Sequence, residues 1–440
     1  MADVYGRLTG KAGVCLSTLG PGATNLITGM ADANSDGAPL VAITGQLGTD
    51  KMHLTSHQYL DLEALFKPIT KRTKMIMRPE SVNEIVRLAF EYAESEKPGA
   101  THINLPEDIA KEEVPEGVAR KFITTAPKNK EYADIESIEH AAAAIFQAEH
   151  PVILAGHSAV RAKASKALTE FAPIKWNLKD DHKIIHIDSR PSHVNKLYQP
   201  VTEVIGDISD SLEKIGNRCH RTKEPEQALA IKRQMSKEHE QYENDMAYPV
   251  KPQKILCDIR SVMGKEDILV SDVGAHKMWI SRHYNCYEPN TCLISNGFAT
   301  MGIAVPGSIA AKMLYSERKV LAVTGDGGFM MNCQEIETAV RMHVPIVVLV
   351  MRDDSYGLIK WKQDDRFGNH CFVDFTNPDF VKMAESMHAV GLHVDKTEDL
   401  KDVLEQAFAS GKVCIIDCPV DYAENTKLTE HLKQMIAELE

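Results

Sequence analysis

The stretch from Leu321 to Lys362 constrains the fold of this chain more than any other. It is built on two apolar runs, each entering a turn rich in glycine or aspartate: Val320–Val323 before Gly325-Asp326-Gly327-Gly328, and Ile346–Val350 before Asp353-Asp354-Ser355-Tyr356-Gly357. Helical periodicity at Ile336, Ala339 and Val340 separates the two runs. The order strand, turn, helix, strand, turn predicts a βαβ unit of a parallel sheet.

The two turns carry the acidic groups of this unit. In a parallel sheet both turns leave the carboxyl ends of their strands, so we expect Asp326 and Asp353 to face one site. Two carboxylates that lie close together repel each other unless a cation sits between them, and oxygen ligands favour a hard ion such as Mg²⁺, which commonly adds phosphate oxygens to a few carboxylates. Glycines let backbone N–H groups approach such a phosphate, and a helix N-terminus favours its charge.

This stretch resembles the diphosphate-binding signature of thiamine-diphosphate (ThDP) enzymes, in which a Gly-Asp-Gly turn is followed by a turn that carries Asn or Asp. Gly-Asp-Gly by itself is a common surface turn. The two turns at this spacing, each after an apolar run, favour the ThDP interpretation.

Length, charge and cysteine content narrow the class of protein. A chain of 440 residues predicts about two to four domains. The net charge of −12, with scattered basic residues, argues against nucleic acid or an anionic membrane as partner. No apolar run approaches the ~20 residues of a transmembrane helix. The nine cysteines are odd in number and dispersed, which favours buried thiols in a reducing cytoplasmic setting.

The first segment carries a second resemblance. Four successive blocks are similar to the pyrimidine-binding domain of acetolactate synthases: YGRLTGKAGV, TLGPGATNLITG, PLVAITGQ and HQYLDLEALFKPITK. By these blocks the chain is identified as a member of that ThDP-dependent family, and SDVGAHKMW, SNGFATMG and IKWN favour its catabolic, FAD-independent type. His57, Gln58 and Asp61 fit the family's pattern near the active site, and Gln58 is the catalytic candidate.

The resemblance implies an α/β fold with the ThDP-enzyme architecture of parallel-sheet domains. We expect a pyrimidine-binding domain at residues 1–112, truncated at its N-terminus, and a Rossmann-like central domain at 130–217, shortened internally. A charged linker at 218–248 and a diphosphate-binding domain at 249–440 follow. In the central domain an early family block ending at Ala172 joins directly to a late block starting at Pro173, which indicates a deletion. The third domain keeps every motif and is expected to fold.

The candidate cofactor residues lie in the third domain. The resemblance implies that the loop Ser271–Trp279 contacts diphosphate oxygens. In the loop Ser295–Gly302, it implies that Met301 holds the cofactor in its bent shape and that the Ala299 carbonyl accepts a hydrogen bond from the aminopyrimidine. Asp326, Asp353 and the backbone carbonyl of Ser355 are the expected Mg²⁺ ligands. The cofactor-binding candidates are Val273, Gly274, His276, Ala299, Thr300, Met301, Gly325, Asp326, Gly327, Gly328, Asp353, Ser355, Tyr356 and Gly357.

The activity that the resemblance implies is the condensation of two pyruvate molecules to 2-acetolactate and CO₂. It would use ThDP and Mg²⁺ without FAD, in a homodimer or tetramer. One departure matters: the family's catalytic Glu lies in a His-Glu block just before the stretch that here is Met1–Arg7. We therefore interpret Met1 as an internal start or a fragment boundary, and we expect little acetolactate synthesis without that carboxylate.

The alternative functions either use ThDP for another reaction or do not use it. A ThDP-dependent 2-keto acid decarboxylase or another carboligase remains open, as does an inactive truncated homologue. A Rossmann dehydrogenase is disfavoured because no G-x-G-x-x-G follows the first apolar run. Gly156-His157-Ser158-Ala159-Val160 nearly matches the nucleophile elbow of serine hydrolases, but Val160 replaces the final glycine and no acid and base partners match.

Overall fold

A computed structural model of the chain describes residues 1–53, 55–114, 131–148, 152–153, 156, 183–192, 199–219, 229, 233, 236–237 and 240–428. The strands of this part are β1 (Gly13–Ser17), β2 (Leu40–Gln46), β3 (Arg72–Met75), β4 (Ala100–Pro106), β5 (Ile184–Asp188), β6 (Pro200–Ile205), β7 (Ile268–Ser271), β8 (Cys292–Ile294), β9 (Val320–Gly325), β10 (Val347–Arg352), β11 (Val390–His393) and β12 (Cys414–Pro419). Its α-helices are α1 (Ala2–Thr9), α2 (Pro21–Thr24), α3 (Ile27–Asp36), α4 (Leu62–Phe66), α5 (Val82–Glu94), α6 (Glu107–Lys111), α7 (Ile135–Gln147), α8 (Ile208–Gly216), α9 (Pro252–Val262), α10 (Ala275–His283), α11 (Ala304–Leu314), α12 (Asp326–Asn332), α13 (Glu335–Arg341), α14 (Gly357–Phe367), α15 (Phe380–Ser386) and α16 (Leu400–Ala409).

These strands form three parallel sheets. The first has the order β1-β2-β4-β3, the largest has the order β11-β12-β10-β9-β7-β8, and the smallest is β5-β6. The expected α/β class with parallel sheets is therefore confirmed.

The central strands of the six-stranded sheet are buried on both faces. Alternate residues of β9 and β10 enter two separate cores: Leu321, Val323, Val347, Leu349 and Met351 pack on one face, and Ala322, Val348 and Val350 on the other. Helices cover both faces of such a sheet, so its central strands read as continuous apolar runs, with no alternation of polar residues. This is the physical reason that the sequence predicts β9 and β10 so directly.

Some elements differ from the sequence-based expectation. The predicted glycine turn after β9 is the first turn of α12, which begins at Asp326 with Gly325 as its N-cap. The sequence did not predict β3, α1 or α4. β3 is a short polar edge strand without an apolar run, and α1 contains Gly6, which lowers helix propensity. A Cβ at Gly6 would lie 2.4 Å from the carbonyl oxygen of Pro39, so the close packing of α1 requires glycine there.

Helix α1 belongs to the core of the six-stranded sheet. Val4 and Leu8 pack with Ile268 and Val270 of β7, and a Cβ at Gly307 of α11 would lie 3.0 Å from a Val4 methyl group. Helix α1, near the start of the chain, thus packs against the sheet that β7 to β12 form. The expectation that residues 249–440 fold by themselves did not include this helix.

The chain divides into two compact units, residues 1–120 with 230–440 and residues 121–229. In the second unit, α7 and α8 cover the two-stranded sheet through Ile138, Val204 and Ile215. The expected junction at Ala172 and Pro173 and most of the Gly156–Val160 motif lie outside the described residues. Within the described ranges no helix combines the length and the apolar character needed to cross a membrane.

His102 is a buried histidine at the centre of the first sheet. It lies on β4, with Nε2 2.9 Å from Thr44 Oγ1 of β2 and Nδ1 2.6 Å from Thr73 Oγ1 of β3. Its ring stacks on Phe66 at 4.1 Å between centroids. Burial lowers the pKa of His102 to about 4, so the folded chain keeps this ring neutral where the unfolded chain protonates it.

We predict that the free energy of unfolding falls as pH drops from 6.5 to about 4, because the unfolded state takes up a proton on His102 in that window and the folded state does not. The contribution is at most about 3 kcal/mol. Urea unfolding at a series of pH values gives the free energy of unfolding at each pH. The slope of this free energy against pH should be shallower for His102→Gln than for the parent. His276, whose pKa burial also lowers to about 4, leaves part of the slope in place. His140→Gln, on the exposed side of α7, is the control. An unchanged slope in His102→Gln would contradict this origin.

Candidate active site

The candidate site lies where the carboxyl ends of β7, β9 and β10 meet. The strand order reverses at β7, which has its successor β8 on one side and β9 on the other. Ligands of open parallel sheets bind at such a switch point. The register pairs Met351 of β10 with Gly325 of β9, so the turns after these two strands leave the sheet at the same level.

Asp326 fastens these two turns together. Its carboxylate is 1% exposed and accepts hydrogen bonds from the backbone N–H of Gly327 at 2.8 Å, the backbone N–H of Asp354 at 2.8 Å and Asn377 Nδ2 at 2.7 Å. Burial raises the pKa of this carboxyl, and the donors only partly oppose that effect. The first turn thus holds the backbone of the second.

Asp353 faces the same point with less support. It accepts a hydrogen bond from Ser355 Oγ at 2.9 Å. Burial, followed by the charge of Asp326, raises the pKa of Asp353 to about 7. Two mutually repelling carboxylates at this edge form a donor set that suits a hard divalent cation, since such an ion would stabilise both charges at once.

The glycines of the two turns stand where a side chain would collide. A Cβ at Gly357 would lie 2.4 Å from Asp353 Oδ2, and a Cβ at Gly327 would lie 2.9 Å from the ring of Tyr356. These positions keep the backbone close to both the carboxylate and the aromatic ring. A bound phosphate could therefore approach the N–H groups at the start of α12.

His276 borders the site from the β7 side. Its ring is buried, and Nε2 has no hydrogen-bond partner within the described part of the chain. A Cβ at Gly274 would lie 2.7 Å from this ring and one at Gly325 would lie 3.4 Å from it. A buried ring nitrogen without a partner is costly, so this atom marks a place where a polar group of a ligand would be stabilising.

Two families of known proteins match parts of this chain. The family "Thiamine pyrophosphate enzyme, N-terminal TPP binding domain" matches residues 1–65, and the family "Thiamine pyrophosphate enzyme, C-terminal TPP binding domain" matches residues 272–418. The acetolactate synthase of Bacillus subtilis (strain 168) is 34% identical over 494 aligned residues, which cover 97% of this chain and 85% of that protein. The chain belongs to the acetolactate synthase family of ThDP enzymes.

Further relatives support the same membership. The catabolic acetolactate synthase of Raoultella terrigena is 30% identical, with 99% of this chain and 89% of that protein covered. The probable acetolactate synthase large subunit of Methanococcus aeolicus is 29% identical, with coverages of 96% and 83%. The 494 positions aligned with the Bacillus subtilis protein exceed the 440 residues of this chain, so that relative carries residues in the aligned range that this chain lacks.

The C-terminal family match begins at Asp272, a residue that the sequence analysis did not select. Its buried carboxylate accepts hydrogen bonds from the backbone N–H groups of Val273 at 2.7 Å, Gly302 at 2.8 Å and Ala304 at 3.1 Å. It thereby joins the turn after β7 to the segment that contains Met301. An aspartate directly after an apolar strand was the available signal.

Tyr422 was also missed. Its hydroxyl is fully buried near both acidic turns, and its pKa lies well above the usual value because of burial and the charges of Asp353 and Asp326. The residue is 65 positions beyond Gly357, the last residue of the second turn, and no motif marks it.

The remaining candidates occupy two further places. Thr300 and Met301 are half-buried in the loop after β8, and Ala299 is exposed there with φ 56°. Gln58 lies in the connection between β2 and α4, with φ 60°. A Cβ at Gly20 would lie 2.8 Å from the Gln58 Cβ. Its catalytic role stays a prediction.

A metal ion here would need donors besides side chains. Among the described residues, no group of three or more His, Cys, Asp or Glu side chains is arranged to hold a metal ion. Two carboxylates with the Ser355 carbonyl form a smaller set, which phosphate oxygens of a bound cofactor would complete.

We predict that Asp326→Asn and Asp353→Asn weaken Mg²⁺-dependent ThDP binding by at least the roughly 10- to 100-fold that loss of an outer-sphere partner costs a metal site. Calorimetric titration measures this affinity. Asp354→Asn is the control and should have a milder effect: the Asp354 carboxylate pairs with Arg352 at 3.0 Å and shares the Asn377 amide with Asp326, and asparagine tolerates its φ of 54°. Parent-like affinity in both Asp326→Asn and Asp353→Asn, or an equal loss in Asp354→Asn, would refute the assignment.

Proposed function

We propose that this member of the acetolactate synthase family is a ThDP- and Mg²⁺-dependent carboligase that condenses two pyruvate molecules to 2-acetolactate and CO₂. The observation that supports it most is the pair of turns carrying Asp326 and Asp353, held at one level at the switch point of the largest sheet. We also propose a cytoplasmic location, on the dispersed cysteine content alone.

The residues of the two turns would hold Mg²⁺ through Asp326, Asp353 and the Ser355 carbonyl. Bound ThDP would supply the electron sink that decarboxylation of a 2-keto acid requires. The chain's own contribution would be binding and orientation, with the backbone N–H groups after Gly325 and Gly274 available to hold the diphosphate.

The loop after β8 would shape the cofactor. In this proposal Met301 would support the bend between the two rings of the cofactor, and the carbonyl of Ala299 would accept a hydrogen bond from the aminopyrimidine. The left-handed backbone of Ala299 is the kind of local strain that clusters at functional sites.

We predict that pyruvate, supplied as sole substrate with Mg²⁺ and ThDP, yields 2-acetolactate as the main product at whatever rate the chain supports. Product analysis by NMR distinguishes it from acetaldehyde. Asp353→Asn should form neither product, which separates enzymatic turnover from spontaneous chemistry. Acetaldehyde as the main product would favour the decarboxylase alternative instead.

We predict that the form that binds ThDP is a homodimer or tetramer. None of the eleven residues of α14 is buried, and large apolar side chains are exposed on α14 and in the segment after it, among them Ile359 at 49%, Phe367 at 67% and Phe372 at 101%. Exposed apolar side chains that cluster mark an interaction surface. Light scattering with and without ThDP measures the mass. A ThDP-bound monomer would contradict the prediction, and Ile359→Lys should shift the mass towards the monomer.

A further inference from the structure

Arg7 is the centre of a buried ion cluster between α1 and α3. Its guanidinium pairs with Asp3, with Asp32 at 2.8 Å and with Asp36 at 2.8 Å. The Arg7 side chain is 6% exposed and each of its partners 9% or less. Arg7 Nη1 also donates to the carbonyl of Ile294 at 3.2 Å, the last residue of β8. The cluster therefore reaches from the first segment to the start of the cofactor loop, Ser295–Met301.

Asp32 and Asp36 direct further hydrogen bonds into the cofactor loop. Asp32 Oδ1 accepts from Ser295 Oγ at 2.5 Å and from Thr300 Oγ1 at 3.0 Å. Asp36 accepts from two successive backbone N–H groups, at positions 296 and 297. Ser295 Oγ in turn accepts from the backbone N–H of Thr300 at 3.0 Å. Both ends of the loop are thus held by carboxylates of α3.

The cofactor loop is exposed and strained between these contacts. Residues 296–299 are exposed, and Ala299 has the left-handed φ that non-glycine residues adopt only at a cost. A Cβ at Gly297 would lie 2.5 Å from Asp36 Oδ1. The backbone here is therefore shaped against α3.

We infer that Arg7, Asp32 and Asp36 form a positioning network that fixes the conformation of Ser295–Met301 from the α3 side of this loop. This inference rests on the proposed function, because it assigns to the network the shape of the loop that contacts ThDP. It concerns the bend of the cofactor and leaves the diphosphate to the turns at Asp326 and Asp353.

The charges explain why Arg7 is needed. Three carboxylates share one guanidinium, and burial raises the pKa of Asp32 to about 6 although Arg7 and two hydroxyl donors oppose it. At Asp36 burial acts in the same direction, but Arg7 and the two loop N–H groups outweigh it and lower the pKa. Lys277 adds a second cation, with Nζ donating to the Ser295 carbonyl at 2.7 Å. Removal of Arg7 would leave three buried carboxylates without the cation that they share.

The test compares Asp36→Asn and Asp32→Asn with Asp3→Asn in the full chain. Asp3 is the matched control because it pairs with the same guanidinium from within α1 and lies outside the hydrogen bonds to the cofactor loop described above. Hydrogen–deuterium exchange reports on the loop without any ligand. Calorimetric titrations with Mg²⁺–ThDP and with Mg²⁺–pyrophosphate distinguish binding of the two rings from binding of the diphosphate alone.

We expect amides of Ser295–Met301 to exchange about tenfold faster in Asp36→Asn and Asp32→Asn, and at the parent rate in Asp3→Asn. We expect the Kd of ThDP to rise about tenfold in the first two variants while that of pyrophosphate changes less than about twofold. A merely structural role would weaken both ligands together.

Several results would overturn the inference: parent-like exchange of the loop in Asp36→Asn, equal loosening in Asp3→Asn, parallel loss of both ligands, or faster exchange with unchanged ThDP affinity. A parent chain that binds no ThDP would refute the proposed function, and in that case the exchange comparison alone still decides whether the network holds the loop.

Discussion

The repulsion between Asp326 and Asp353 is the constraint on which the arrangement of the site depends. Parallel pairing of β9 and β10 ends both strands at one level. The two carboxylates could therefore move apart only if the register of the two strands changed. Three donors support Asp326, while Asp353 has the Ser355 hydroxyl. Burial, followed by the charge of Asp326, raises the pKa of Asp353 to about 7, and a cation between the two carboxylates would stabilise both charges.

Buried carboxylates that accept backbone N–H groups recur around this site. Asp272 holds the N–H groups of Gly302 and Ala304, Asp326 holds that of Asp354, and Asp36 holds two in the cofactor loop. Charge-assisted hydrogen bonds are short and directional. These loops are therefore fixed to strands and helices, which suits the proposed role of the site in holding a flexible cofactor in one shape.

The features that could be predicted from the sequence are those that a local sequence pattern determines. Continuous apolar runs located β9 and β10, and a motif shared with a known family located the two acidic turns and the loop at Met301. The roles of Asp272, Asp32 and Arg7 depend on which distant segments meet, and each looks like an ordinary polar residue in the sequence. β3 escaped prediction because a polar edge strand has no periodic signal, and α1 because its glycine serves packing against Pro39 and lowers helix propensity.

Helix α1 joins the two larger sheets to the site because its faces have different partners. Val4 and Leu8, one turn apart, enter the core of the six-stranded sheet. Gly6, on the opposite side, lies against Pro39 beside the first sheet. Asp3 and Arg7, again one turn apart, form the ion cluster that reaches the cofactor loop. A shift of this helix by one turn would break all three contacts together, because protein interiors are closely packed. The geometry of the cofactor loop is therefore tied to the packing of α1 and α3 as well as to β8.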